Sequence, residues 1–337
     1  LYLPDALPRL WRPPSPAGAP PGRTEARVLD YLRAHGASFF PALHAGIGGG
    51  FAGDTVRALW ELVWRGLVTN DTFHALRAFT APPERDDRRA RRARGAFRSR
   101  RTTPSSAEGR WSLTTARMAE LATATEWSTA VARQLLHRYG IVTRESVAAE
   151  CIPGGFAAVY AVLKSMEEAG RIRRGYFVAG VGAAQFALPA ALERLRALRD
   201  EPEPPEVVHL AATDPGNPYG AILRWPETDL DAGRPPSRSL GAMVVLVNGA
   251  CAAYIARGGR AVSVFLPDDE PKRSRVARAA AEALAALASR GGRHGGLLIS
   301  EIDGRPAGDH PLARHLLAAG FAASSLGFAL SRRAVSG

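Results

Sequence analysis

Arginine side chains are the groups in this sequence whose type and spacing point most directly to a chemistry, which is the binding of phosphate groups. Arg171, Arg173 and Arg174 lie together in a short stretch that has the pattern of a strand hairpin. A guanidinium group stays charged at neutral pH and can donate two parallel hydrogen bonds to one phosphate. We therefore predict that these three arginines contact a nucleic-acid backbone.

A second group of arginines lies between residues 80 and 110, where ten arginines accompany four acidic residues. So much charge prevents this stretch from burying a core, and we expect a disordered linker in the free protein. Each arginine can neutralise one phosphate without reading bases; the alternative is a solvated linker without a partner. The residues predicted to bind phosphate are Arg88, Arg89, Arg91, Arg92, Arg94, Arg98, Arg100 and Arg101.

A third basic cluster lies at the start of residues 271–290, an alanine-rich amphipathic stretch that predicts a helix. Lys272, Arg273 and Arg275 would then lie at the positive end of the helix dipole, where cations are unfavourable. We predict that this cluster serves another purpose, such as phosphate binding.

Side chains that could act as acids, bases or nucleophiles do not form a recognisable site. Asp214, Asn217 and Tyr219 lie in the stretch DPGNPYG, where either a polar site or, as we expect, ordinary turn chemistry explains them. His310 and His315 are five residues apart and fall on different helix faces, so no metal pair is predicted. The residues assigned to turns, caps or structural hydrogen bonds are Glu301, Asp303, Asp309 and Gln185.

The composition of the whole chain fits a polyanionic partner. The 337 residues carry a net charge of +12, which favours nucleic acid, although a solubilising surface in an arginine-rich proteome is the alternative. Cys151 and Cys251 are too few for a zinc cluster or a disulfide scaffold and indicate a reducing compartment. No apolar run predicts a membrane span. Because the chain begins at Leu1 without Met, we expect a piece of a longer polypeptide.

The elements that must position the arginines recur once along the chain, at an offset of 104 residues. Each copy has the pattern helix, short helix, helix, strand, which predicts a winged helix; chance matches between helical bundles are the alternative. The matched pairs are Leu32 and Leu136, Gly36 and Gly140, Leu43 and Val147, Leu59 and Leu163, Leu62 and Met166, Gly66 and Gly170, Val68 and Ile172, and Phe73 and Phe177.

We predict an α+β fold in which tandem winged helices precede a small antiparallel β-barrel and a C-terminal α/β extension. The predicted boundaries are 1–22 for an extended Pro-rich linker, 23–79 for the first winged helix, 80–110 for the Arg-rich linker, 111–200 for the second winged helix, 206–267 for the barrel and 271–337 for the extension of helix, strand, helix and strand.

Local signals place the elements within these domains. Asp54 predicts the N-cap of the third helix of the first winged helix, and Pro189 predicts the start of a closing helix. Asn248-Gly249 is a strong hairpin turn signal. The other predicted helices cover residues 25–34, 40–45, 117–139, 144–150 and 155–169, and the predicted barrel strands cover residues 207–212, 221–225, 239–248, 251–257 and 261–266.

Several long phrases resemble one family, the bacterial large helicase-related proteins, Lhr. They are RGYFVAGVGAAQFALPAALERLR at 174–196, ATDPGNPYGAILRWP at 212–226 and EIDGRPAGDHPLARHLLAAGF at 301–321. The resemblance is to the C-terminal region of Lhr. It implies a separate ATP-driven 3′-to-5′ helicase core, a hydrolase that uses ATP and Mg²⁺, with no cofactor in this part of the chain. It further implies action in DNA repair on single-stranded or forked DNA, without sequence preference.

The same resemblance implies a cytoplasmic, nucleoid-associated bacterial protein that forms homo-oligomers, with a tetramer favoured. The architecture is also similar to the AlkZ-type DNA glycosylases, but their Gln-apolar-Gln/Asp motif has no match, since Gln134 precedes Leu-Leu and Gln185 precedes Phe-Ala. Catalytic residues therefore stay unknown. Three functions remain open: a nucleic-acid-binding and oligomerisation module, a glycosylase for uracil or alkylated bases, and a protein assembly module only.

Overall fold

The structure, a computed structural model, divides the chain into two compact units, Leu1–Val131 and Ala132–Gly337. Each unit is described by itself below. The residues that the structure describes are 3, 5–13, 20–81, 103–118, 120–182, 184–227, 235–290 and 296–331.

The first unit places short strands between helices whose apolar faces share one core. Val28, Leu29 and Leu32 are buried on one face of α2, as the helical spacing predicted. The described elements are α1 (Leu7–Leu10), α2 (Arg23–His35), β1 (Ser38–Phe39), α3 (Phe40–Gly46), α4 (Ala52–Trp64), β2 (Val68–Asn70), α5 (Phe73–Thr80) and β3 (Arg110–Leu113).

Strand β3 completes a three-stranded antiparallel sheet in the order β1-β3-β2. Trp111 pairs with Ser38 on one side, and Leu113 pairs with Val68 on the other. This is the strand order of a winged helix, so the first domain extends to residue 113. The described pairing therefore continues the domain predicted for residues 23–79 to Leu113, while residues 82–102 of the predicted Arg-rich linker lie outside the described residues.

Two local predictions in the first unit are wrong. Helix α4 begins at Ala52 with Phe51 as its N-cap, so Asp54 lies in the first turn rather than at the cap; a carboxylate near the helix dipole is favourable at either position. The Pro-rich linker contains α1, whose Leu7 is buried together with Trp11. A proline in the first turn of a helix breaks no helical hydrogen bond, because the backbone N–H groups there have no partner within the helix.

The first part of the second unit has helices and a three-stranded sheet in the order β4-β6-β5. This repeats the order of the first sheet. The ends of α2 and α6 are 104 residues apart, as are those of α4 and α8. The elements are α6 (Ala124–Tyr139), β4 (Ile141–Val142), α7 (Arg144–Ala149), α8 (Ala157–Glu168), β5 (Arg173–Gly175), β6 (Gln185–Ala187) and α9 (Pro189–Ala197).

Helix α6 begins later than the predicted start at residue 117, because Thr123 and Glu126 form a capping box. The Thr123 side chain accepts from the Glu126 N–H at 3.3 Å, and the Glu126 carboxylate accepts from the Thr123 N–H at 2.9 Å. These reciprocal bonds satisfy two backbone donors that a helix start leaves free. Residues Thr114–Arg117 form a separate 3₁₀ turn.

The rest of the second unit contains a six-stranded sheet in the order β13-β12-β10-β9-β8-β7 and a three-stranded sheet in the order β11-β15-β14. The elements are β7 (Val207–Ala211), β8 (Met243–Val247), β9 (Ala250–Ile255), β10 (Ala261–Val264), α10 (Lys272–Arg290), β11 (Gly296–Ile299), β12 (Glu301–Ile302), β13 (Arg305–Pro306), α11 (Ala313–Ala318), β14 (Ala322–Ser324) and β15 (Gly327–Ser331).

The predicted closed barrel is not confirmed, since β7 and β13 end an open sheet among the described residues. Strand β10 also pairs in parallel with β12. Val245 and Val247 of β8 share a core with Leu284 of α10, while Val244 and Leu246 face a second core. Because α10 and the loops cover both faces, the sheet can bury its strands without closing.

One turn prediction and one strand prediction in this region have different outcomes. The Asn248-Gly249 hairpin is confirmed, with left-handed φ values of 50° and 80° that suit a tight turn between twisted strands. Residues 221–225 are not a strand, because the Ile222 and Leu223 N–H groups both donate to the Pro218 carbonyl. That turn leaves an isolated bridge, between Tyr219 and Leu223, in place of a ladder.

We predict that Trp111→Ala destabilises the first unit by about 3–5 kcal/mol, the usual cost of removing a large buried aromatic side chain. The indole is fully buried and donates from Nε1 to the Ala107 carbonyl at 3.0 Å. Urea unfolding measures the change, with Phe73→Ala, an exposed site, as the control. Equal unfolding midpoints would exclude Trp111 from the core of this domain.

Candidate nucleic-acid interface

The wing of the second winged helix is the loop of residues 176–184 between β5 and β6, and one buried amide holds it in shape. Gln185 Oε1 accepts from the N–H groups of Phe177 and Val178 at 2.8 and 2.9 Å. Its Nε2 donates to the carbonyls of Val178 and Gly182 at 2.9 and 3.2 Å. Both donors and both acceptor positions of the amide are used, so the predicted structural role of Gln185 is confirmed.

A carboxylate secures the far end of the same loop. Glu145 of α7 accepts the Gly182 N–H at 3.0 Å through Oε1. Burial raises the pKa of Glu145, but hydrogen bonds from its own backbone N–H and from Gly182 outweigh this, and the net pKa is lowered. The ionised carboxylate therefore persists at neutral pH and fixes the loop to the helix.

The three arginines predicted to contact phosphate lie along β5 and just before it. β5 is an edge strand of its sheet. Arg171, Arg173 and Arg174 are exposed there, while Ile172 between them is buried. The Arg174 guanidinium carbon lies 6.0 Å from the centre of the Phe186 ring, within the range of a cation–π contact. In the part of the chain that the structure describes, none of the three forms an ion pair.

The third basic cluster is arranged differently, because acidic side chains already pair with it. Lys272 binds the Glu201 carboxylate, and Arg275 lies 3.9 Å from the Glu203 carboxylate. The Lys272 hydrogen bond lowers the pKa of Glu201. These pairs offset the unfavourable position of the cations at the start of α10. Arg273 is exposed, so it is the member of the cluster best placed to meet a phosphate.

The arginines predicted for residues 80–110 lie outside the described residues, but the chain on either side is defined. Helix α5 ends at Thr80, and β3 begins at Arg110. Along the chain, the segment comes between β2 and β3, as the wing comes between β5 and β6. Its members outside the described ranges are Arg88, Arg89, Arg91, Arg92, Arg94, Arg98, Arg100 and Arg101.

The third helix of the second winged helix, α8, is poorly suited to reading bases. Lys164 pairs with Glu168 at 3.6 Å on its exposed side, so acidic groups occupy the surface that would enter a major groove. A shallow groove of about 770 Å³ lies at the other end of the helix, beside Phe156 and Tyr160. The guanidinium carbon of Arg144 lies 5.9 Å from the Phe156 ring centre there.

The polar residues of the DPGNPYG loop form a turn, as expected. Buried Asn217 donates to the carbonyls of Ala212 and Tyr219 at 3.0 and 3.3 Å. Arg238 donates to three carbonyls of the loop, including that of Asp214 at 3.0 Å, and to the carbonyl of Thr213 just before the loop. Sequence reasoning missed Arg238, because a residue about twenty positions away carries no local signal of this contact.

Asp303, one of the carboxylates near the C-terminus, also has structural partners. Asp303 accepts the Val264 N–H at 2.9 Å, and its second oxygen lies 3.1 Å from His310 Nε2. His310 Nδ1 accepts the Leu312 N–H at 3.1 Å. Burial lowers the pKa of His315. The described ranges contain no group of three or more His, Cys, Asp or Glu side chains placed for a metal ion.

Comparison with known proteins identifies the family. Residues 121–207, which include α6 to α9 and the wing, match the family model "Large helicase-related protein, winged-helix domain". The chain is 42% identical over 296 residues to the "Lhr helicase/ probable uracil glycosylase" of Mycolicibacterium smegmatis, over 83% of this chain and 19% of that protein. This chain belongs to the Lhr family. The resemblance predicted from the sequence phrases is confirmed.

A second Lhr relative, the "Lhr helicase/uracil glycosylase" of Escherichia coli, is 37% identical over 285 residues. The match covers 80% of this chain and 18% of that protein, so the chain spans about a fifth of the length of both Lhr relatives. In the described ranges, no helix combines the length and apolar character needed to cross a bilayer.

We predict that Gln185→Ala loosens the wing and lowers the free energy of unfolding by about 1–3 kcal/mol, because it leaves buried backbone groups without partners. Hydrogen exchange of the Phe177 and Val178 amides should accelerate, and chemical unfolding measures the stability. Gln134→Ala is the matched control, since Gln134 is exposed on α6. Unchanged amide exchange in Gln185→Ala would show that another interaction fixes the loop.

Proposed function

We propose that this chain is a DNA-binding portion of an ATP-dependent Lhr helicase, and that it holds the sugar-phosphate backbone without reading base sequence. The observation that carries this proposal is the row of exposed arginines along the edge strand β5, next to a wing whose shape Gln185 fixes. Guanidinium groups on a rigid edge bind phosphates at little entropic cost, since the backbone that carries them is already ordered.

The charges of the third helix support backbone contact over base readout. A helix that reads base edges presents arginine, lysine, asparagine or glutamine to the major groove, whereas α8 presents Lys164 paired with Glu168. Arg273 and the arginines predicted between residues 80 and 110 would add phosphate contacts of their own. The partner is single-stranded or forked DNA. Binding should weaken steeply as salt rises, because counterions released into a more concentrated solution gain less entropy.

The motor of this helicase belongs to the rest of the protein. Both relatives are named as helicases and are about five times as long as their match to this chain. ATP and Mg²⁺ would bind that helicase core, because this sequence contains no ATP-binding motif. The chain would keep DNA bound near the core during repair. Assembly into homo-oligomers, including the tetramer, stays a prediction that light scattering with and without DNA tests.

We expect Arg173→Ala/Arg174→Ala to weaken DNA binding equally for unrelated sequences. Each lost phosphate contact should reduce the magnitude of the salt slope by about 0.7–0.9. Fluorescence anisotropy between roughly 50 and 200 mM salt measures both effects. Arg33→Ala is the control, since Arg33 pairs with Asp30 at 2.6 Å. A double variant that matches this control in affinity and slope would refute the proposed contact.

A second candidate function is base excision, and a cavity in the second unit together with the names of both relatives favours it. The cavity holds about 330 Å³, and its lining includes Glu201, Tyr219, Asn248, Phe265 and Lys272. That volume suits a small ligand, such as a flipped uracil base between aromatic rings. Glu201 would be the carboxylate that stabilises the positive charge developing on the sugar.

Two other groups at this cavity stay protonated at neutral pH. Burial raises the pKa of the Cys251 thiol to about 12, so no thiolate is present to act as a nucleophile. Burial also raises the pKa of Tyr219, whose hydroxyl accepts the Cys251 N–H at 3.1 Å. Of the groups named here, Glu201 is therefore the one whose charge suits the chemistry.

The glycosylase candidate predicts that the chain produces alkali-labile abasic sites in a uracil-containing single strand. Glu201→Gln should lower this rate at least roughly tenfold, because the amide cannot balance the developing charge. Asp309→Asn, which alters a carboxylate outside the cavity lining, is the control. Undetectable product at high protein concentration rejects base excision for this chain, and full activity of Glu201→Gln rejects this cavity as the site.

A further inference from the structure

The groove at the start of α8 combines two aromatic rings with a single cation. Phe156 and Tyr160 are half-buried, so each ring keeps some exposed surface, and their centroids are 5.8 Å apart. Among the described residues that line the groove, Arg144 alone is charged, and the rest of the lining is alanine and glycine. We call this site, with Ala161 on its α8 side, the aromatic groove.

A third ring joins the aromatic groove to the arginines of β5. Phe186 on β6 is fully buried, and its ring centre lies 6.5 Å from that of Phe156 and 6.0 Å from that of Tyr160. The guanidinium carbon of Arg174 lies 6.0 Å from the centre of the Phe186 ring, and that of Arg144 lies 5.9 Å from the centre of the Phe156 ring. One aromatic cluster therefore connects the groove to the edge strand that presents the exposed arginines.

The carboxylates nearest in sequence to Arg144 have other partners. Glu145 accepts the Gly182 N–H through Oε1 at 3.0 Å, and Glu150 binds Arg138. Arg144 is exposed, and no ion pair joins it to another residue in the described ranges. It is thus the charged group available to an anion that reaches the groove.

These features match the two surfaces of an unpaired nucleotide. A base presents flat π faces that stack on aromatic rings, and its phosphate presents the negative charge that a guanidinium group binds. Stacking tolerates any base, so it suits a helix that lacks the side chains for reading base edges. A protein segment could also fill an apolar groove, but the arginines of β5 beside it favour a polyanion.

We propose that the aromatic groove holds an unpaired base of a single-stranded nucleic acid, which stacks on Phe156 and Tyr160 while Arg144 binds the adjoining phosphate. The arginines of β5 bind phosphates further along the same strand. A duplex keeps its bases paired and stacked, so it can use the arginines but not the groove. This inference rests on the proposed DNA-binding function and assigns the preference for single strands to the second winged helix.

The test compares a labelled thymidine oligonucleotide with an abasic strand and with a duplex of the same length. Ala161→Leu puts a larger side chain into the groove without removing a core group, since Ala161 is exposed on α8. It should lose roughly tenfold in affinity for the thymidine strand, the order expected for one stacked base, and should bind the abasic strand and the duplex normally. Ala190→Leu, at an exposed alanine of α9 outside the groove lining, is the matched control.

Variants of the ring and of the cation give independent readouts. Tyr160→Ala should weaken binding of the thymidine strand by a similar factor, whereas Tyr160→Phe keeps a ring and should keep most of the affinity. Arg144→Ala should weaken binding of the thymidine and abasic strands alike and lower the magnitude of the salt slope, because it removes a phosphate contact. Thermal unfolding checks each fold, and Ala161→Leu covers the case in which Tyr160→Ala does not fold.

Affinity of Ala161→Leu for the thymidine strand equal to that of Ala190→Leu would overturn the inference. A smaller particle mass for Ala161→Leu in light scattering, with unchanged DNA affinity, would overturn it by assigning the groove to protein contacts. Weaker binding by Arg173→Ala/Arg174→Ala without any effect of the groove variants overturns the inference alone, whereas no DNA binding by the unaltered chain overturns the proposed function as well.

Discussion

The hydrogen bonds of one buried amide are the constraint on which the candidate interface of the second winged helix depends. A short edge strand can present arginines in a defined arrangement only if the loop that follows it keeps one conformation. Gln185 provides this by bonding Phe177, Val178 and Gly182, and Glu145 adds a bond to Gly182 from α7. Polar groups that bind one another in the interior cost more to separate than exposed ones.

In the first winged helix, two indole groups hold the chain that enters β3. Trp60 and Trp111 meet edge to face with centroids 5.7 Å apart. Their N–H groups donate to Ser106 and Ala107 on the chain that enters β3. These contacts hold the chain that follows the Arg-rich segment against the domain. In sequence order, the second winged helix has a short wing between β5 and β6, whereas the first has the long Arg-rich segment between β2 and β3.

A net charge of +12 does not make every basic cluster a binding surface. The arginines along β5 are exposed, and none has an ion-pair partner among the described residues, whereas Lys272 and Arg275 at the start of α10 face Glu201 and Glu203. The two groups look alike in sequence. Only acids about seventy positions away, brought close by the fold, distinguish a surface open to phosphates from one that is largely neutralised.

The sequence by itself determined the repeated helices, the apolar faces that bury them, the Asn248-Gly249 hairpin and the family, because helical spacing, turn chemistry and long phrases are local properties. Only the tertiary structure decided that Arg110–Leu113 belongs to the first domain, that the six described strands run in the order β13-β12-β10-β9-β8-β7, and that Arg238 binds the DPGNPYG loop. Strand pairing and side-chain hydrogen bonds join residues distant along the chain. Local spacing carries no information about such partners, since the path of the chain between them sets whether they meet.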